Sequence, residues 1–192
     1  MFARGLARLV DAAGWKARVF NSAADFLGAV GADDPGCVLL DVRMPGMKGP
    51  DLQRAMVERH MTLPVIFLTG HGDVRTSVEA MKLGAVDFLE KPVARERLVA
   101  AIGQALERGE REREARHARE AMRARVATLS RRELEVMSHV IAGRLNKQVA
   151  ADLRIALKTV KAHRANVMRK MGAASVPDLV AMCREADVPP AS

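Results

Sequence analysis

The sequence predicts an α/β doubly wound parallel sheet over its first half and an all-α, four-helix domain over its second. Three observations lead there. Short apolar runs, Cys37-Val38-Leu39-Leu40 and Val65-Ile66-Phe67-Leu68 above all, alternate with stretches of helical spacing up to about residue 106. Beyond residue 125 only helical patterns occur. The net charge of +8 is also uneven: residues 1–108 hold 14 Lys/Arg and 13 Asp/Glu, whereas residues 109–192 hold 17 and 10. A basic second half points to a polyanionic partner, nucleic acid before an anionic membrane.

At 192 residues, 49% hydrophobic and 28% charged, the composition is globular and excludes wholesale disorder. The purely aliphatic or aromatic runs are five residues long at most, against the ~20 that a membrane span needs. No apolar h-region follows Met1, so no secretory leader is expected. Cys37 and Cys183 lie far apart, outside any Cys/His cluster. They are expected to be buried thiols in a reducing cytoplasm, neither a disulfide nor a zinc site.

Taken in order, Leu6, Leu9 and Val10 have helical spacing, and Gly14 ends that helix. Ala17–Phe20 is a short strand candidate, and Ser22 caps a helix over Ala23–Val30. Asp33-Asp34-Pro35-Gly36 makes a turn. The Cys37–Leu40 run is a strand buried on both faces, ending at Asp41. Pro45 and Gly46 mark a loop before a helix from about Pro50 to His60. Pro64 opens the Val65–Leu68 strand, which ends at Thr69. The Gly70-His71-Gly72 loop leads to a helix ending near Lys82, stopped by Gly84. Val86–Leu89 is a third short strand, then come Lys91-Pro92 and a helix from about Arg95.

From Glu107 to Arg125 the chain turns to Arg, Glu and Ala, a solvated helical linker laced with i,i+4 charge pairs. Ala115, Ala118 and Met122 line up thinly along it, but a solvated extension of the preceding helix is expected. Ser130-Arg131-Arg132-Glu133 is a capping box for a helix to about Ile141. Asn146 caps a helix to Leu153. A third helix spans Lys158–Met171 and stops at Gly172. A fourth, capped by Ser175 with Pro177 just inside, reaches about Cys183. His60, His71, His117 and His139 lack ligand spacing and read as surface residues.

Asp41, Thr69 and Lys91 each follow an apolar strand run. In an open parallel sheet the strand carboxyl ends face one crevice, where ligands bind. A carboxylate, a hydroxyl and an ammonium together there suit phosphoryl chemistry: attack on phosphorus, a hydrogen bond to a phosphoryl oxygen, and neutralisation of its charge.

Cys37–Gly49 (CVLLDVRMPGMKG), Leu63–Asp73 (LPVIFLTGHGD) and Gly84–Val93 (GAVDFLEKPV) resemble, in order, the receiver domain of two-component response regulators. The resemblance implies a flavodoxin-like fold with Asp41 as phospho-acceptor, Thr69 as switch hydroxyl, Lys91 as phosphate-pairing lysine and Phe88 as rotating aromatic. It also implies a histidine kinase as donor, and Mg²⁺ held by Asp41 and the Arg43 backbone carbonyl among others. Such receivers open on a strand ending in two adjacent acidic residues that hold the Mg²⁺. Here Met1 falls inside the first helix of the pattern, so the first strand and its acidic pair are missing. In the order 2-1-3-4-5 that strand lies between Ala17–Phe20 and Cys37–Leu40. Its loss strips both neighbours of backbone partners at ~1–3 kcal/mol for each unsatisfied group. A misassigned start codon is the expectation, and a truncated receiver that needs no phosphate the alternative.

Leu129–Met182 resembles the LuxR-type helix-turn-helix module of NarL/FixJ-type regulators through LSRRE, NKQVA, TVKAH and MRKMG. In the Lys158–Met171 helix Val160, Val167 and Met171 share a core face. Lys158, Lys161, Ala162, Ala165 and Arg169 share the opposite one: cations for phosphates and guanines, small residues for close approach to base edges. Thr159, His163 and Arg164 flank that face, and Lys147 reaches the DNA backbone from the Asn146 helix. Members of the family usually carry Gly and Ser where this chain has Arg154 and Ala156. A positive φ at Arg154 costs ~1 kcal/mol, and the lost cap at Ala156 ~0.5–2 kcal/mol.

The expected organisation is a receiver over 1–106, a linker over 107–125 and a DNA-binding domain over 126–192. The expected protein is a cytoplasmic, non-enzymatic transcription regulator controlled by phosphorylation of Asp41. Its partners are duplex DNA, a histidine kinase, RNA polymerase and, when active, a second copy, with no membrane. The Val176–Cys183 helix offers Leu179, Val180 and Met182 for that dimer, part of the set being needed for the core. The alternatives are a phosphorylation-independent DNA binder with a degenerate receiver and, more weakly, an aspartate-nucleophile phosphohydrolase. The latter needs a second Asp where Arg43 stands. A basic adaptor without operator preference is the remaining rival.

Overall fold

The computed structural model describes residues 2–44, 46–70, 81–185 and 188–189. His71 and Gly72 of the predicted loop, all but the end of the helix predicted to follow it to about Lys82, and the loop residue Pro45 lie outside them. The chain divides into two compact units, Met1–Glu114 and Ala115–Ser192.

In the first unit α1 (Phe2–Ala12) and α2 (Ala23–Ala29) precede β1 (Val38–Asp41), α3 (Gly49–Glu58), β2 (Val65–Thr69), β3 (Asp87–Glu90) and the first part of α4 (Arg95–Ala127). The strands form a parallel sheet in the order β1-β2-β3. Every residue of β2 is buried, which is why its sequence is apolar without alternation. Val65 and Phe67 face a core with Phe26, Leu52 and Met56 from α2 and α3. Ile66 and Leu68 face a second core with Leu6 and Val10 of α1 and Leu98, Ala101, Ile102 and Ala105 of α4. The sheet therefore lies between two helical layers.

Ala17–Phe20, predicted as a strand, forms no strand and belongs to no ladder among the described residues. The strand that would bridge it to β1 is not in the sheet, so it has nothing to pair with. Side chains hold it instead, Ala17 on one core and Phe20 on the other. The Ala17 N–H donates to Asp11 Oδ1 at 3.2 Å.

The predicted strand ends hold to within a residue. The helix expected over Pro50–His60 stops at Glu58, and His60 turns the chain at φ 55°. The helix from Arg95 and the charged segment after it form a single 33-residue helix. Ala115 and Ala118 are exposed, while Met122 enters the core of the second unit.

That unit contains α5 (Arg131–Ile141), α6 (Asn146–Asp152), α7 (Leu157–Met171) and α8 (Val176–Glu185). Its core gathers Val136, Met137, Val140, Val149, Val160, Val167, Met171, Leu179 and Cys183. Both halves of the Ser130–Glu133 capping box are made. Ser175 Oγ accepts from the Asp178 N–H, and Gly172 closes α7 at φ 71°. Leu179 is fully buried and Met182 packs on the same core, so within α8 the chain's own fold uses most of the set offered for dimerisation. No helix among the described residues is long and apolar enough to cross a membrane.

Gly49, the first residue of α3, sits under the end of β1. A Cβ there would stand 2.5 Å from the Asp41 carbonyl oxygen and 2.9 Å from Phe67 Cε1. Gly49→Ala is expected to destabilise the first unit by ~1–3 kcal/mol through overpacking, read as a lower denaturation midpoint in urea.

Candidate functional site

Asp41 closes β1, Thr69 closes β2, and Lys91 follows β3. The parallel register pairs Asp41 with Leu68 and Thr69 with Glu90, so the three strands end at one level. The Lys91 ammonium bonds Asp41 Oδ2, and the Arg43 N–H donates to Asp41 Oδ1 at 3.0 Å. The Lys91 N–H donates to the Thr69 carbonyl at 2.8 Å, fixing where the chain leaves β3. Thr69 is buried, whereas the Asp41 and Lys91 side chains keep 32% and 27% of their exposure. The carboxylate is thus oriented by two donors yet reachable from solvent. Phe88 is half-buried and stacks on Phe67, with ring centroids 5.1 Å apart and 12° between planes. The structure brings Asp41 and Lys91 into contact, and sets Thr69 beside them through the backbone.

Among the described residues no group of three His, Cys, Asp or Glu side chains could hold a metal ion. Both Asp41 oxygens already accept hydrogen bonds. Mg²⁺ is ordinarily held by one or two carboxylates together with waters, and among the described residues Asp41 is not joined by a second carboxylate in such a group.

On α7, Lys158, Thr159, Lys161, Ala162, Ala165 and Arg169 are exposed, and His163 and Arg164 are half-buried at the margins. Val160, Val167 and Met171 are buried on the other side. Lys147 is exposed in the first turn of α6. Arg154 has φ 52°, and Ala156 stands at the N-cap of α7 without a side-chain bond, as expected. Asn146 differs. Leu145 is the N-cap of α6, Gln148 Oε1 accepts its N–H at 2.8 Å, and Asn146 Oδ1 accepts instead from Arg164 Nη1 at 2.7 Å. His139 is half-buried with Nδ1 3.6 Å from Asp152 Oδ2, not a surface residue, because α5 packs its side against α6. Burial lifts the Cys37 thiol to about 11 and pushes Cys183 up as well, so neither is a nucleophile at neutral pH.

Sequence reasoning missed one partner of α7. Lys170 Nζ donates to Glu133 Oε2 at 2.7 Å and to the Thr128 carbonyl at 3.0 Å. The capping box explained Glu133 fully, which hid its second role. The usable signal was a carboxylate in a buried position, since a buried charge requires a partner.

Residues 1–103 match the family model of the response regulator receiver domain, and residues 127–183 that of the bacterial regulatory proteins of the luxR family. The chain belongs to the response regulators that join these two domains. The regulator is 44% identical to the transcriptional regulatory protein FixJ of Bradyrhizobium diazoefficiens, over 93% of this chain and 87% of the relative. It is 45% identical to FixJ of Azorhizobium caulinodans, over 97% and 88%. Among solved structures it is similar to the response regulator StyR, with 38% identity, a TM-score of 0.86 and coverage of 95% and 92%. Full-length FixJ from B. japonicum is 42% identical with a TM-score of 0.57, covering 97% and 92%. The receiver implies a histidine kinase as partner and the luxR-family domain implies DNA. Receivers of this family generally use Mg²⁺.

The Lys170 ammonium, then the Ser130 N–H, hold the Glu133 carboxyl down from an ordinary value of 4.5 to about 2. The unfolded chain therefore takes up this proton first on acidification. The pair's contribution to stability is whole above about 4.5 and is lost as pH falls through about 2. A carbon-13 titration should find Glu133 still ionised at pH 3, and Lys170→Met should raise its midpoint toward the ordinary carboxylate range.

Proposed function

We propose that this regulator carries its phosphoryl group on Asp41 and reads duplex DNA with the exposed face of α7. The observation that carries the first half is the Asp41 carboxylate at a strand end, oriented by the Arg43 N–H and by Lys91. A carboxylate oxygen attacks phosphorus, the bond from phosphorus to the kinase imidazole nitrogen breaks, and that nitrogen keeps the electron pair. An acyl phosphate on Asp41 remains. Lys91 then moves from the carboxylate to a phosphoryl oxygen, and the Thr69 hydroxyl donates to another. Drawing Thr69 toward the phosphoryl group opens space for Phe88 to turn. This is a population shift between two receiver conformations, sensed around β3 and the start of α4. No step is routed through a metal ion, because the described residues do not complete its site. Arg43, two positions after Asp41, argues against a phosphohydrolase, and the reading is of a non-enzymatic cytoplasmic regulator. It dimerises when active and meets RNA polymerase on its operator.

The exposed cations and small residues of α7 support the second half. Lys158, Lys161 and Arg169 supply charge, Ala162 and Ala165 allow close approach, and Thr159, His163, Arg164 and Lys147 reach phosphates.

Two outcomes are expected. This chain should be labelled far below stoichiometry by a small phosphodonor such as acetyl phosphate, with all labelling lost in Asp41→Asn. Full, Mg²⁺-dependent labelling of the chain would contradict the poor donor set. In operator titrations Lys161→Ala should lose discrimination at one or two base pairs by ~1–3 kcal/mol. Lys147→Ala should instead weaken all duplexes alike and lower the salt slope by about 1. Equal binding of selected and random duplexes by the wild-type chain would leave only general polyanion binding.

A further inference from the structure

We propose that Asn146 is a positioning residue for DNA binding, holding Arg164 as an uncompensated cation at the margin of the α7 face. The inference rests on the reading of that face as the one that meets DNA.

Asparagine is among the best N-cap residues and a poor one inside a helix. Here it stands at the first helical position of α6, where Leu145 is the cap and Gln148 takes the Leu145 N–H. Asn146 therefore does no capping work. Its oxygen crosses to α7 and accepts from Arg164 Nη1 at 2.7 Å, the short length of a charge-assisted hydrogen bond. Arg164 lies one turn from exposed Lys161 and one turn from buried Val160, at the seam between the DNA face and the core.

The chemistry of the partner is what matters. Lys170, farther along α7, is tied to the Glu133 carboxylate and Arg132 on α5 to the Glu135 carboxylate, so those charges are offset. Arg164 is tied to a neutral amide. An amide fixes the guanidinium plane and leaves the whole positive charge. A guanidinium has five N–H donors, and the bond to Asn146 uses one. The others can serve a phosphate at the edge of the reading face, which the guanidinium's fork suits. A side chain already ordered gives up less rotamer freedom on binding than a loose one.

The test is a salt titration of full-length protein on a duplex selected from a random pool, beside a scrambled duplex. Arg164→Gln should lower the slope of log K against log salt by about 0.9 and weaken both duplexes alike. Asn146→Ala should weaken binding about 2- to 10-fold, and should cost nothing further in the Arg164→Gln background. Asn146→Asp keeps the bond and cancels the charge. It should lower the slope as Arg164→Gln does, without lowering the melting temperature, which a purely structural tie between α6 and α7 does not predict. A wild-type slope in both Arg164→Gln and Asn146→Asp overturns the proposal, as does an equal loss from Asn146→Ala in both backgrounds. Lys161→Ala separates the two readings. If it loses discrimination while the Arg164 and Asn146 variants are silent, this inference alone fails. If it too is silent, the DNA face itself is misassigned.

Discussion

The register of the three-stranded sheet is the constraint on which the first unit depends. β2 is buried along its whole length and sends alternate side chains to two separate cores. A slip of one residue would exchange those cores and reverse every side chain. With the register held, β1 and β2 end on Asp41 and Thr69, and the residue after β3 is Lys91. The bond from the Lys91 N–H to the Thr69 carbonyl extends the ladder one step beyond β3 and brings the ammonium to the carboxylate. As a half-exposed ion pair it adds little stability. Its consequence is geometric: a carboxylate reachable from solvent with a cation already beside it.

Most of this was legible because buried strands and helix caps leave local signals. Continuous apolar runs marked β1 and β2, and the order of the strand-end residues revealed their convergence. Ala17–Phe20 shows where local signals stop. Its composition is that of a strand, but a strand exists only through its neighbour, and the neighbour is not in this sheet. Asn146 shows the same limit on a helix. Its residue type suggests a cap, and only the approach of α7 reveals that its oxygen is needed 18 residues along the chain. Glu133 carried two roles of which the nearer one was visible.

The second unit compensates for two locally unfavourable residues at the turn before α7. Arg154 occupies a left-handed conformation at ~1 kcal/mol, and Ala156 leaves the start of α7 without a side-chain cap. The far end is correspondingly well tied. Gly172 takes the left-handed position, the Arg125 guanidinium donates to the Met171 carbonyl at 2.9 Å, and Lys170 bridges to Glu133 and the Thr128 carbonyl. Those bonds satisfy carbonyls and place cations where the helix dipole favours them.

This division sorts the cations of α7 by their partners. Lys170 has a carboxylate and serves the fold. Arg164 has an amide, which orders it without discharging it. Lys158, Lys161 and Arg169 stand exposed on the opposite side from the core. A helix that is only soluble needs no ordered guanidinium, because ordering costs entropy that a solvated charge need not lose, and a tie between α6 and α7 alone does not call for an uncompensated charge. A helix that must meet a polyanion does have a use for it, since the charge is answered when the phosphate arrives. On the proposed reading of this face, partner chemistry, more than the number of basic residues, separates the cations that hold this domain together from those it offers to DNA.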